Sequence, residues 1–187
     1  FGYPNADCEL FLDRLYQHGV LKRCLPDLWA LDRNGNTVFC DQMMQTPAHH
    51  EEGDVWTHIK IAVQSAHGVE GRWIALLHDI AKPCTAVWDY LGKGDEWYSF
   101  PNHDHKGAEM IPGIVKRLKL STVKEISNRI DTIAAICTRW HMDIYKFCAN
   151  VGEPKKDGKG NIIKDKNGKP KLIEVKQSRV REVQADF

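Results

Sequence analysis

A mostly α-helical fold with one small β insertion is what this sequence predicts, and three observations carry that expectation. Apolar residues recur at helical spacing over several stretches, such as Val55, Ile59, Ala62, Val63 and Ala66. Cap and stop residues bracket those stretches, among them Asp54 before Val55 and Pro83 after Lys82. A lysine-rich segment with three turn signals, near the C-terminal end, has the different character of a hairpin. The chain has 187 residues, 42% of them hydrophobic, which suits one domain with a real core rather than two large ones.

From the start, Leu10, Leu12, Leu15 and Tyr16 predict a short helix before Gly19, and Pro26 opens a second short helical or irregular stretch through Leu31. Arg33-Asn34-Gly35-Asn36 is turn chemistry, and the stretch up to His50 shows no period, so it reads as loop. Asp54 then caps a helix that stops near Gly68 and carries His58 beside its apolar face. The next helix, Gly71 to Ala81, turns Trp73, Ile74, Leu77 and Ile80 inward and holds His78 and Asp79 in its last turns.

An aromatic and charged loop, Trp88 to Asn102, leads to a helix from about Asp104 to Leu118, in which Pro112-Gly113 predicts a kink. Thr122 and Glu125 read as a capping box for a further helix along Val123, Ile126, Ile130, Ile133, Cys137 and Trp140 to His141. Residues 153–171 hold seven lysines and three acids, and predict a hairpin turning at Asn167-Gly168, with Ile162-Ile163 opposite Leu172-Ile173. Val175 to Phe187 reads as a returning helix, and no internal repeat is evident.

Lys+Arg 26 against Asp+Glu 25 gives a net charge of +1, so no global field argues for a nucleic-acid or membrane partner. The lysine segment is the local exception. It suits contact with a polynucleotide backbone, and equally a solvated edge guarded against aggregation. Six cysteines without a Cys-x-x-Cys pair read as reduced thiols, and no apolar run approaches the roughly 20 residues of a membrane span. A cytoplasmic protein is the expectation, and a start at Phe rather than Met fits a piece of a longer chain.

Imidazoles and carboxylates are the notable chemistry. His58, the doublet His78-Asp79, His103 and His141 each fall at the edge of an expected core face, where a bundle converges side chains into metal sites. Lys82, one turn beyond His78 on the same expected helix, and Arg139, next to Trp140-His141, are cations near these ligands, and Lys82 reads equally as a cation favoured at a helix C-terminus. The loop Trp88-Asp89-Tyr90 to Trp97-Tyr98-Ser99-Phe100 offers a wall for stacking a base or, more commonly, for packing.

Taken in order, Gly19-Val20-Leu21, Leu25-Pro26-Asp27-Leu28, His50-Glu51-Glu52-Gly53-Asp54-Val55-Trp56-Thr57-His58, Leu76-Leu77-His78-Asp79-Ile80-Ala81-Lys82-Pro83, His103 before Gly107-Ala108-Glu109, and Trp140-His141 resemble the HD-domain superfamily of metal-dependent phosphohydrolases. The likeness is greatest to the HD module of bacterial CCA-adding tRNA nucleotidyltransferases, whose nucleotidyltransferase head is absent here. Ile80-Ala81-Lys82 departs from the family in having Ala where Gly is usual.

The resemblance implies an HD helical bundle with a hairpin insertion. It divides the single domain into N-terminal helices and loop (1–50), HD core (51–146), lysine-rich hairpin (152–175) and returning helix (176–187). It implies metal ligands His58, His78, Asp79 and Asp186, with His103 and His141 for a second ion, and one or two ions of Mn, Ni, Co, Fe or Mg. Catalytic roles fall on Asp79, Lys82, His103 and Arg139, and substrate binding on Lys82, His105 and Arg139.

The implied activity is phosphohydrolysis of nucleotide or RNA/DNA-end phosphates, whether a cyclic phosphate, a terminal monophosphate or a phosphodiester. The chain would then be a module fused to or associated with another end-processing domain. Two alternatives stay open: a free dNTP or alarmone hydrolase, and a non-catalytic nucleic-acid-binding module with a structural metal site.

Overall fold

The computed structural model describes residues 6–148, 154–158 and 160–172, with side chains to residue 143 in the first stretch. It is mostly α, with two small two-stranded sheets. The chain divides into two units, Phe1–Arg139 and Trp140–Phe187. Among the described residues no helix is long and apolar enough to cross a membrane.

In the first unit, α1 (Cys8–Gln17) starts where the Asp7 carboxylate accepts the Leu10 N–H at 2.9 Å. Gly19, at φ 68, reverses the chain into α2 (Val20–Cys24), a left-handed turn that costs a glycine little. The stretch read as loop before His50 instead forms a hairpin, β1 (Trp29–Leu31) with β2 (Thr37–Phe39). Its turn is built by Asp32, whose Oδ1 accepts the N–H groups of Asn34 and Asn36 at 2.8 Å. Burial of Val38 and Phe39 then ties it to the core, where Phe39 stacks on Tyr16 at 4.4 Å and meets Trp56 edge-on at 5.0 Å.

The loop 43–55 closes on itself through Gln45 N–H to Gly53 O and Val55 N–H to Met43 O. Asp54 ends it by accepting Thr57 N–H at 2.9 Å and Thr57 Oγ1–H at 2.7 Å, which starts α3 (Val55–Ser65) as the sequence predicts. Val55, Ile59 and Val63 are fully buried on one face. α4 (Gly68–Leu77) packs beside α3 and stops earlier than predicted, so His78 and Asp79 lie in the turn after it rather than in its last turns. Pro83 is the reason: it has no N–H for the Asp79 carbonyl, which takes the Lys82 N–H at 2.9 Å in a tighter turn. A short α5 (Lys82–Thr85) follows.

The aromatic loop contains a second hairpin, β3 (Val87–Trp88) with β4 (Tyr98–Ser99). α6 (His103–Leu118) runs through Pro112 as one helix. The following helix corrects the capping-box expectation. Thr122 Oγ1 donates to Lys119 O at 2.8 Å instead of capping, Val123 is extended, and α7 (Ile130–Cys148) begins eight residues later than Thr122. Its buried face up to Arg139 is Ile130, Ala134 and Thr138.

Gly107 on α6 lies close against α7: a Cβ there would lie 2.8 Å from Thr138 Cγ2. Gly107→Ala should therefore lower unfolding stability by about 1–3 kcal/mol despite its better helix propensity, because overpacking a buried contact outweighs the propensity gain. Urea denaturation of the two proteins checks this; an unchanged or higher midpoint would contradict it.

Beyond the end of α7, the described part of the second unit is an antiparallel three-segment β element, 154–157, 161–165 and 169–172. The predicted turn at Asn167-Gly168 is present, with Lys164 opposite Pro170, but a third segment joins the two expected strands. Lys155 N–H donates to Lys171 O, Lys171 N–H to Ile163 O and Ile163 N–H to Lys155 O, so the three segments close in a ring. These residues are evenly spaced by eight, and Lys156-Asp157 to Gly160 matches Lys164-Asp165 to Gly168. A short repeat exists, contrary to the sequence reading. It was hidden because its signal is one Asp accepting turn N–H groups and one Gly, not an apolar period. The returning helix from Val175 and residue Ile173 lie outside the described residues.

Candidate metal centre

Asp79 is the hub of the site. It is 1% exposed, and three imidazole Nε2 atoms face its carboxylate. His58, one turn into α3, lies 3.3 Å from Oδ2, His78 lies 3.1 Å from the same oxygen, and His103, first residue of α6, lies 3.3 Å from Oδ1. His58 Nε2 and His78 Nε2 are 3.3 Å apart. Three elements are needed to build this: the Asp54 cap sets His58, the Pro83 turn sets His78 and Asp79, and Asn102, at φ 56, turns the chain into α6 to set His103.

The opposite ring nitrogens are also placed. Each Nδ1 meets an acceptor: Ala75 O at 2.7 Å for His78, Phe100 O at 2.7 Å for His103 and Glu52 Oε1 at 2.5 Å for His58. With the proton on Nδ1, each Nε2 presents its lone pair toward the carboxylate, the arrangement by which metal-ligating histidines are oriented. Bonds of about 2.0–2.2 Å to one ion place neighbouring donors about 3–3.5 Å apart, and the separations among His58, His78 and Asp79 fall there. Those three residues fit one divalent cation, and the mixed nitrogen and oxygen set suits first-row metals.

Charge is partly balanced without an ion. Lys82 Nζ lies 2.7 Å from Asp79 Oδ2 and donates to Gln45 Oε1 at 2.6 Å, over the Phe100 ring. Lys82 is 3% exposed and opens α5, so it is neither one turn along the His78 helix nor a C-terminal surface cation as the sequence suggested. Burial pushes His78 down, but Asp79 beside it outweighs burial and leaves its pKa raised. Burial dominates at His58, with Lys82 and His78 adding to it against the pull of Asp79, and holds it at about 4. Burial alone would raise Glu52; its backbone hydrogen bond and the His50 and His58 donors win and hold it at about 2.

A pH dependence follows from His58. Its folded value is depressed below the ordinary value of about 6.5, so between about 6.5 and 4 the unfolded chain binds the extra proton and stability falls with falling pH. His78, raised, slopes the other way, so the comparison must be with His58→Gln. In metal-free protein that variant should lose less stability than the parent from pH 6.5 to 4, read by urea midpoints; equal losses would contradict it.

Arg139 and His105 are placed less centrally. Arg139 Nη1 lies 3.5 Å from Asp104 Oδ2, next in sequence to His103. His105 is 52% exposed at its side chain, 3.9 Å from the same Asp104 oxygen, and stands outside the Asp79 cluster. His141 is half-buried on α7, in the second unit, and Asp186 lies outside the described residues. The aromatic loop packs: Trp88 meets Tyr98 edge-on at 5.0 Å and carries Arg33 over its face.

Sequence reasoning missed Gln45 and Glu52. Gln45 is 1% exposed in a segment without period, and no signal marked it. Glu52 lies within the His50-to-His58 motif, but nothing in its spacing marks it as the carboxylate partner that a metal-ligating histidine can take at its other nitrogen.

The fold and this cluster define a helical protein that gathers a His-rich donor set around one buried carboxylate. The chain is related to a region of proteins named multifunctional CCA protein. That of Halorhodospira halophila is 30% identical over 139 residues, 72% of this chain and 28% of that protein. That of Pseudomonas syringae pv. syringae is 29% identical over 116 residues, 60% and 24%, and one from Pseudomonas aeruginosa is 26% identical over 121 residues, 63% and 25%. The chain spans about a quarter of the length of the curated relatives it matches. No family model and no solved structure matches it.

Proposed function

We propose that this chain is an HD-type metal-dependent phosphohydrolase module acting on nucleotide or nucleic-acid-end phosphates. The observation that supports the reading most is the set of three Nε2 atoms aimed at Asp79 while each Nδ1 is held by an acceptor. His58, His78 and Asp79 would hold a first divalent ion, with Asp186 the proposed fourth ligand and His103 and His141 proposed for a second. Mn, Ni, Co, Fe or Mg, when bound, would supply Lewis acidity and neutralise phosphate charge.

The chain's own residues would do the rest. Lys82, buried against Asp79, keeps the pocket positive enough to draw a phosphate while remaining tied to Gln45. Arg139, tethered by Asp104 beside His103, is the guanidinium proposed to bind a phosphoryl oxygen. The similarity to multifunctional CCA proteins favours a nucleic-acid end over a free nucleotide as substrate, and favours association with a further end-processing domain. The lysine-rich ring, whose described lysines are all exposed, is the proposed contact for a polynucleotide backbone.

The test is a panel of 2′,3′-cyclic phosphate, terminal monophosphate and phosphodiester substrates run across divalent metals. Metal-stimulated turnover of an RNA or DNA end supports the reading, and turnover of free dNTPs alone would favour the free-nucleotide alternative. Absence of bound metal and of stimulation by any metal would leave a binding module.

A further inference from the structure

Glu52 and His50 form a pair of groups beside the cluster to which the proposed mechanism gives no work. Glu52 Oε1 receives both His58 Nδ1, at 2.5 Å, and His50 Nδ1, at 2.9 Å. The His50 and His58 rings meet edge-on at 5.0 Å. All three are only half-buried, yet the loop that carries two of them is closed at its base by the Gln45–Gly53 and Val55–Met43 hydrogen bonds and turned at Gly53, φ 95. The carboxylate is therefore held in place rather than waving in solvent.

We infer that Glu52, steadied by His50, is a positioning residue that fixes His58 in the tautomer whose Nε2 lone pair faces Asp79. A neutral imidazole carries its proton on one nitrogen, and the hydrogen bond made by the other side decides which. Both ring nitrogens face a carboxylate, but Glu52 Oε1 lies 2.5 Å from Nδ1 whereas Asp79 Oδ2 lies 3.3 Å from Nε2 and already takes Lys82 Nζ at 2.7 Å; the closer ionised acceptor draws the proton to Nδ1. The charge on Glu52 also makes the distal nitrogen a better donor. His78 and His103 receive the same service from backbone carbonyls, Ala75 O and Phe100 O. At His58 a side chain does it, and so the effect can be removed by substitution.

The same three donors admit another reading, a second cation held by His50, Glu52 and His58 Nδ1. That ion and one at Nε2 would require His58 to lose both ring protons. The relay needs no such ionisation, and one oxygen taking two N–H groups satisfies all three residues. The inference rests on the proposed metal site only for its effect on metal binding, because the tautomer exists without metal.

The experiment measures the His58 ring nitrogens by 15N NMR in the metal-free full chain, and Mn or Co affinity by competition with a chelator. The parent should show the Nδ1–H tautomer of His58. Glu52→Ala should move it toward Nε2–H and weaken metal affinity about 10–100-fold, whereas Glu52→Gln, whose amide oxygen still accepts, should keep the tautomer and weaken affinity less. His50→Ala should give a smaller shift in the same direction.

A parent with the proton on Nε2, or a Glu52→Ala spectrum identical to the parent, would overturn the relay whatever the affinities. So would two metal ions bound in the parent of which Glu52→Ala loses one. The expected tautomers with no metal affinity in any protein would support the relay and remove the metal reading instead.

Discussion

Asp79→Ala should abolish metal binding and metal-stimulated phosphoester hydrolysis together, leaving a folded helical protein with activity at the no-enzyme background. Three imidazole nitrogens at 3.1–3.3 Å converge on this one carboxylate. Without it only neutral imidazoles remain of the donors that converge there, and the one anionic ligand is gone. The measurement is metal content of the purified variant by mass spectrometry beside its turnover. Full metal occupancy with lost turnover would reduce Asp79 to a catalytic role alone, and retained turnover would remove the site from the mechanism. The deletion also leaves Lys82 buried without its carboxylate, so Asp79→Asn, which keeps the shape, is the control for stability.

Lys82→Ala should have the largest effect on stability. Its ammonium and Asp79 form a pair with side chains 4% and 1% exposed, and removing one member of such a pair costs about 3–5 kcal/mol because the other charge is left buried. Addition of a divalent ion should restore much of this in the variant and less in the parent, since the ion replaces the missing positive charge at Asp79. Urea midpoints with and without metal decide it. An equal metal-induced shift in both proteins would mean that lysine and ion do not act on the same carboxylate. The sequence reading gives Lys82 a substrate-binding role, and its burial against Asp79 adds a structural one.

Helix content was legible because α3, α4 and α6 carry apolar spacing with sharp ends: Asp54 caps one, and Pro83 forbids continuation after another. Where the stop came was less legible. A proline acts on the carbonyl four residues earlier, and that shifted His78 and Asp79 out of the helix and into the turn that aims them inward. The Thr122–Glu125 pattern misled because Thr122 has a nearer acceptor in Lys119 O, and a local hydrogen bond of this kind competes with a cap. The hairpin at Asp32 was invisible to period counting, since strands of three residues show too little alternation.

Within the cluster, His58, His78, Asp79 and His103 were readable as residues, and their convergence is present in the fold. Their polarity was not readable. Which ring nitrogen faces the carboxylate depends on Ala75 O, Phe100 O and Glu52, two of them main-chain atoms that have no sequence signature. Lys82 was placed on the correct side of Asp79 but in the wrong environment, because burial of its ammonium depends on Gln45 arriving from a loop.

The ring of three short segments in the second unit bears on how this chain meets other copies of itself. Every segment there already has a partner on both flanks, so among the described residues the element offers no open row of amides on which a foreign strand could grow. Lysines are often placed on such structures as guards against stacking. Closure makes that duty redundant for the described lysines here, all of which are exposed.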